Sequence, residues 1–249
     1  MNELLLELKN IGKVYKNDKK ENHCIEDINF CLRKGEIVSL LGPSGCGKST
    51  IIKLIGGIIN PDRGKINFYN KDFRIGYIPQ SPSLMPNRTV YENVSLVLEV
   101  YKEVDKTRIN NTLEKVGMSS FRSLFPHQLS GGMQQKVSLA RALVLEPDIL
   151  LMDEPFSSID EITRWKFNFD LINLLKKNHL SVLFVTHNIE EAVLLSDRIL
   201  VMSNLKPSSI IKEIPIKFIN LRDHHLFHSE EYLHQVLLVR KVLEKNFIL

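Results

Sequence analysis

Apolar and polar residues alternate from residue 4 to residue 41 of the 249-residue chain, the period of strands with one face buried. Turn signals at Asn10-Ile11-Gly12 and Lys16-Asn17-Asp18-Lys19-Lys20 divide that stretch and predict a small antiparallel sheet. The sheet leads into Glu36-Ile37-Val38-Ser39-Leu40-Leu41, whose apolar run reads as a buried strand, and Ile51-Ile52-Lys53-Leu54-Ile55 has the look of a helix's first turns. Asn60-Pro61-Asp62-Arg63-Gly64 marks a turn before short strands at 65–69 and 74–78, the second broken by Pro79. The period then changes. Residues 89–145 carry helical spacing in three blocks, 89–101, 105–117 and 131–145. Beyond them come a strand at 148–153, a helix over 160–178 stopped at Asn178-His179, a buried strand over 180–186 and a short helix at 188–195. Closing strands at 197–203 and 209–216 precede an amphipathic helical tail from about 229 to 247. The order predicts an α/β fold with an N-terminal antiparallel β subdomain and an inserted α-helical subdomain.

Composition changes this picture little. With 43% hydrophobic and 25% charged residues the chain is of soluble globular type. A net charge of +4, from 33 basic and 29 acidic residues, is too mild for the concentrated basic patch that nucleic acid demands. Cys24, Cys31 and Cys46 form no CxxC pair and read as reduced cytosolic thiols. Residues 1–7 are acidic where a signal peptide is basic, and no apolar run approaches the roughly 18–20 residues of a membrane span. His224, His225, His228 and His234 lack the Cys or acidic companions of a metal site and read as a solvated connector.

Candidate chemistry concentrates at strand ends. Gly42-Pro43-Ser44-Gly45-Cys46-Gly47-Lys48-Ser49-Thr50 lies between a buried strand and a helix, the phosphate-cradling P-loop pattern of a nucleoside triphosphatase core. Its glycines turn backbone N–H groups inward as an anion nest, Lys48 reaches the β- and γ-phosphates, and the Ser49 hydroxyl ligates Mg²⁺. Asp148-Ile149-Leu150-Leu151-Met152-Asp153-Glu154-Pro155 is a second apolar strand ending in two carboxylates. Side chains alternate along a strand, so the two acids have separate tasks: Asp153 joins the Mg²⁺ shell and Glu154 polarises the attacking water as general base. Ser130 is placed as an N-cap with Gly131 and Gly132 behind it, either a well-capped helix or a second anion site. His187, directly after a buried strand, is either structural or placed to meet a γ-phosphate or the water. Gln80 is a solvated loop residue, a metal ligand or a water-orienting amide, and Tyr15 is half-buried packing or a platform for a purine.

The ordered set Gly42–Thr50, Gln80, Leu129–Gln135, Ile149–Pro155, Ser158–Asp160 and His187 resembles the ATP-binding subunit of ABC transporters, over nearly the whole chain. The resemblance implies a P-loop NTPase with a RecA-like core: an ATP-binding core of residues 1–80 and 146–220, a helical subdomain of 81–145 and a helical tail of 221–249. It implies ATP and Mg²⁺ as ligands, with Tyr15 stacking on adenine. Gln80 touches Mg²⁺ and senses the permease, Glu154 is catalytic, and His187 is the switch histidine. The signature Ser130-Gly131-Gly132-Met133 meets the ATP of a second copy, and Asp160 sits at the dimer interface. That picture makes the P-loop and the signature cap two halves of composite sites in a head-to-tail dimer. The implied partners are a second copy, a transmembrane permease subunit and, through it, a solute-binding protein, at the cytoplasmic face of the membrane.

Two departures stand out: Met133 where glutamine is commonest, and Phe156-Ser157-Ser158-Ile159-Asp160 where small residues and a leucine are usual. The Pro126–Met133, Glu154-Pro155-Phe156 and Leu84–Val94 stretches look like importers for nitrate, sulfonates, taurine or a thiamine precursor. The alternatives are a soluble ABC ATPase acting on nucleic acid or ribosomes, which single-cassette architecture and mild charge disfavour, and a non-hydrolysing scaffold, which Glu154 and His187 disfavour.

Overall fold

The alternating segment folds as two long strands, β1 (Leu4–Asn17) and β2 (Lys20–Arg33), paired antiparallel from Leu4↔Arg33 to Asn17↔Lys20. A computed structural model of the chain describes residues 3–17, 20–70, 72–156, 159–218 and 226–247. The turn expected at Asn10-Ile11-Gly12 is not a turn. It lies inside β1 as an irregularity in register between Leu8 and Lys13. Asn10 takes the left-handed region at φ 51°, which asparagine tolerates, and its N–H donates to Asn29 Oδ1 at 2.8 Å. A bulge absorbs the extra residues and lets the strand continue.

In chain order there follow β3 (Ile37–Leu41), α1 (Lys48–Ile55) and β4 (Arg63–Phe68), so that Arg63 and Gly64, expected in a turn, already belong to a strand. Next come β5 (Ile75–Ile78), α2 (Val90–Tyr101), α3 (Lys106–Lys115), α4 (Gly131–Leu143), β6 (Ile149–Asp153) and α5 (Glu161–Lys177). The chain closes with β7 (Ser181–Thr186), α6 (Ile189–Leu195), β8 (Arg198–Met202), β9 (Ile210–Pro215) and α7 (Glu230–Phe247). The predicted elements are present with shifts of a residue or two at their ends.

Two compact units result, one of residues 1–71 with 179–249, the other of 72–178. In the first, β4 pairs antiparallel with β1, completing a three-stranded sheet in the order β2-β1-β4. A second layer is built on β3, which runs parallel to both β7 and β8, while β9 pairs antiparallel with β8. Every residue of β3, β7 and β8 is buried, as strands covered on both faces require. Leu41 ends β3 opposite Thr186 and Val201, so the residues after β3 and β7 emerge side by side.

In the second unit β5 and β6 pair in parallel, Ile78 opposite Met152, again bringing two strand tips together. Its helices start on side-chain caps. Thr89 and Glu92 form a reciprocal capping box on α2, and Asp105 caps α3. Asn93, fully buried, exchanges bonds with the Met85 N–H (2.8 Å) and the Arg88 carbonyl (2.9 Å), which orders the segment that follows Gln80.

One ion pair ties the layers of the first unit where β3 begins. Arg198 Nε donates to Glu36 Oε1 at 2.7 Å, Nη1 lies 3.1 Å from Glu213, and Nη2 donates to the Cys31 carbonyl. Both partners are largely withdrawn from solvent, so removing one strands the other. Glu36→Ala is expected to cost about 3 kcal/mol in urea denaturation, and adding Arg198→Met to it should restore most of that loss.

Candidate active site

Helix N-termini expose amides with no partner inside the helix, and the chain treats α1 differently from the rest. Ser130, Asp160 and Asn188 cap α4, α5 and α6 by accepting from the N–H groups of Met133, Thr163 and Glu191. Ser229 Oγ does the same for Tyr232 in α7. Of the α-helices among the described residues, α1 alone has no side-chain cap: its N-cap is Gly47, held left-handed at φ 96°. A Cβ at Gly47 would overlap the Ile25 side chain, so both the backbone angle and the close approach require glycine. Gly45, at φ 80°, supplies the preceding left-handed step. The result is a glycine loop with left-handed steps leading into a helix N-terminus that no side chain caps, the setting in which anion nests form.

Lys48 is buried, and its Nζ donates to the Gly42 and Pro43 carbonyls at 2.8 and 2.9 Å. Its ammonium is thereby held against the loop rather than in solvent. Cys46 is buried beneath the same loop, and burial pushes its thiol up despite the nearby Lys48 charge. Tyr15 stands at the edge: its hydroxyl lies 3.3 Å from Thr50 Oγ1, its ring is partly exposed, and Lys13 Nζ sits 5.9 Å from the ring centroid. Lys13 and the Val14 N–H are both held by Asp62, at 3.2 and 2.7 Å.

His187 follows β7 in this same unit, beside the strand that delivers the loop. Its exposed position is set by a small network that sequence reasoning did not find. Thr186 Oγ1 donates to Glu191 Oε2 at 2.6 Å and accepts from the Asn188 N–H at 3.0 Å, while Asn188 caps α6. The Asn-x-x-Glu spacing after a strand was the available signal.

The second unit gathers the remaining candidates. Gln80 lies two residues beyond β5, exposed, and Asp153 ends β6, with Glu154 directly after it, at the same side of the parallel pair. Asp153 is buried, and burial of Tyr77, helped by the Asp153 charge, raises the Tyr77 hydroxyl. Glu154 is half-buried with its backbone at φ 46°, a region rarely taken by a residue with a Cβ. The two carboxylates differ in environment, but not through strand alternation, because Glu154 lies one residue beyond β6 with left-handed backbone. Ser130 and Gly131 are exposed at the start of α4, and Met133 is the residue whose N–H the Ser130 hydroxyl receives, at 3.3 Å. Asp160 caps α5 through the Thr163 N–H at 3.0 Å. Ser157, Ser158, His224 and His225 lie outside the described residues. Among the described residues no cluster of three or more His, Cys, Asp or Glu forms a metal site. The Ser49 hydroxyl of the first unit and, in the second, the Gln80 amide and the Asp153 carboxylate are each oxygen donors of the hard type that suits Mg²⁺.

A family model described as ABC transporter matches residues 25–157. The chain is 41% identical over 199 residues to the aliphatic sulfonates import ATP-binding protein SsuB 2 of Pseudomonas syringae pv. tomato, a match covering 80% of this chain and 84% of that one. It is 35% identical over 244 residues to an uncharacterized ABC transporter ATP-binding protein of Methanocaldococcus jannaschii, covering 95% and 91%. A solved dimeric, post-hydrolysis ATP-binding cassette bound to ADP and Pi superposes with a TM-score of 0.75 at 30% identity, over 86% of this chain and all of that one.

Gly47→Ala is expected to destabilise the chain by about 1–3 kcal/mol through backbone strain and to abolish the rise in melting temperature that ATP produces. Thermal denaturation with and without nucleotide reads both, and an intact ATP-dependent shift would contradict the assignment.

Proposed function

The chain belongs to the ABC transporter family, and from that premise we propose that it is the ATP-hydrolysing, energy-coupling subunit of an importer. The observation that carries the proposal is the uncapped α1, whose left-handed glycine loop and buried Lys48 are built for a polyphosphate. Lys48 and the loop N–H groups of Gly42, Ser44, Gly45, Cys46, Gly47, Ser49 and Thr50 take the phosphates, Pro43, which has no N–H to give, fixes the turn of the loop, and Tyr15 stacks on the adenine. Ser49, Asp153 and Gln80 would hold Mg²⁺, which neutralises charge developing on the β- and γ-phosphates. Glu154 accepts a proton from the water that attacks the γ-phosphorus, the bond to the ADP oxygen breaks, and His187 steadies the released phosphate.

Ser130, Gly131, Gly132 and Met133 are proposed to serve the nucleotide of a second copy. Their cap is exposed at a helix N-terminus, where phosphate oxygens are readily received. The dimeric state of the cassette bound to ADP and Pi supports this arrangement. Asp160 then faces the partner copy, and Gln80 relays occupancy to a permease subunit. In domain terms, residues 1–80 and 146–220 are the ATP-binding core, 81–145 the helical subdomain and 221–249 the tail.

Relatives named as aliphatic sulfonates import subunits support a small solute of the nitrate, sulfonate, taurine or thiamine-precursor type as cargo, and a choline transport subunit at 39% identity extends the relatives' cargoes to a cation. All are named as transport subunits, which favours this reading over action on nucleic acid or ribosomes. No helix among the described residues is long and apolar enough to cross a membrane. We place the chain at the cytoplasmic face, attached to the permease, with a solute-binding protein acting through it.

Glu154→Gln should lower steady-state ATP turnover about a hundredfold or more while nucleotide affinity stays within a few-fold. Phosphate release and a fluorescent-nucleotide titration measure the two, and undiminished turnover refutes the role. In the wild type, turnover per chain should rise with protein concentration through the monomer–dimer range, and a strictly constant specific activity there refutes the composite site.

A further inference from the structure

Glu154 is held in a conformation that it would not choose. Its φ of 46° is left-handed, and the residue before a proline is also discouraged from helical backbone. Such geometry persists where the surroundings over-determine it. On the N-terminal side β6 is laddered to β5 up to Met152 opposite Ile78. On the C-terminal side the ring fixes φ of Pro155, and one side chain fixes its carbonyl: Gln135 Nε2 of α4 donates to Pro155 O.

Gln135 is 1% exposed. It lines a small void with Ile78, Leu139, Met152, Phe167 and Leu171, all apolar. Its Oε1 is buried with no donor among the described residues. Leu or Met at this position would fill the space without stranding an amide oxygen, whose burial is unfavourable. Packing therefore does not account for an amide here. What the amide achieves is a single bond, to the carbonyl of the residue directly after Glu154.

Around that bond the rest of the segment is fastened to the same helices. The Phe156 ring meets the Phe167 ring edge-on with centroids 5.5 Å apart, and Arg164 Nη2 donates to the Ile159 carbonyl at 2.8 Å. The first turn of α4 touches α5, where a Cβ on Gly132 would come within 3.0 Å of Thr163 Cγ2. The helix that opens with the Ser130-Gly131-Gly132 cap thus reaches, one turn later, the backbone that aims the carboxylate of Glu154.

We propose that Gln135 is a positioning residue for hydrolysis: it clamps the Glu154-Pro155 backbone and so ties the placement of the general base to the start of α4. The inference rests on the ATPase reading above. It gives each chain a link between the cap it offers to a partner's nucleotide and the base it applies to its own.

The test is Gln135→Met, with Gln135→Leu as the second variant. Either should lower kcat for ATP hydrolysis tenfold or more, leave KM for ATP within twofold, and leave the melting temperature unchanged or raised. In a Glu154→Gln background, Gln135→Met should still dimerise on adding ATP in gel filtration, because the loop and the cap are untouched. Wild-type turnover in the variants overturns the proposal, as do loss of ATP-driven dimerisation and a fall in melting temperature that accompanies the loss of activity in both. A wild-type chain without turnover sinks the ATPase reading itself. Normal turnover in Gln135→Met, beside an inactive Glu154→Gln, sinks only the inference.

Discussion

An α-helix must find partners outside itself for the amides of its first turn, and the way each helix meets that demand organises this molecule. Most helices answer it with Thr, Asp, Ser or Asn at the cap. At α1 a glycine stands in the cap position and no side chain closes the turn. The donors are left to whatever the loop encloses. Everything around α1 serves that exposure: β3 is buried between two parallel strands to give the loop a fixed root, Arg198 and Glu36 lock the entry to β3, and Ile25 leaves room for Gly47 only because it lacks a Cβ.

The same chemistry recurs at α4 in a different form. There Ser130 does cap the helix, but with an exposed hydroxyl and with glycines behind it that leave the amide face uncluttered. A cap of this kind satisfies one donor while remaining open to a shared acceptor. The contrast is between a helix start with no side-chain cap behind a glycine loop and one whose capping hydroxyl is exposed. Gly132 has a second duty, allowing α4 to lie close against Thr163.

Most of the fold was legible because its signals are local. Uninterrupted apolar runs became buried strands, and Ser130 and Asp160 became caps because residues a few positions away supply the N–H groups that they accept. The misreading at Asn10-Ile11-Gly12 has a physical cause, since a bulge in a long strand uses the same left-handed asparagine and glycine chemistry as a turn. The features that had no local signal depend on partners at a distance in sequence or on backbone that the residue types do not announce. Gln135 sits in an apolar helical stripe with Leu139 and Ala142, where its polarity was the clue, but its partner Pro155 is twenty positions away. The left-handed backbone of Glu154 likewise has no local signature, because glutamate before proline does not ask for it.

Cys46 brings a different liability into the phosphate loop. Sulfur is attacked by peroxides and disulfides as thiolate rather than thiol. Burial in the loop favours the protonated form over the opposing influence of Lys48. Burial thus holds the loop's one sulfur in the form least able to react, within the loop whose shape an oxidised sulfur would spoil.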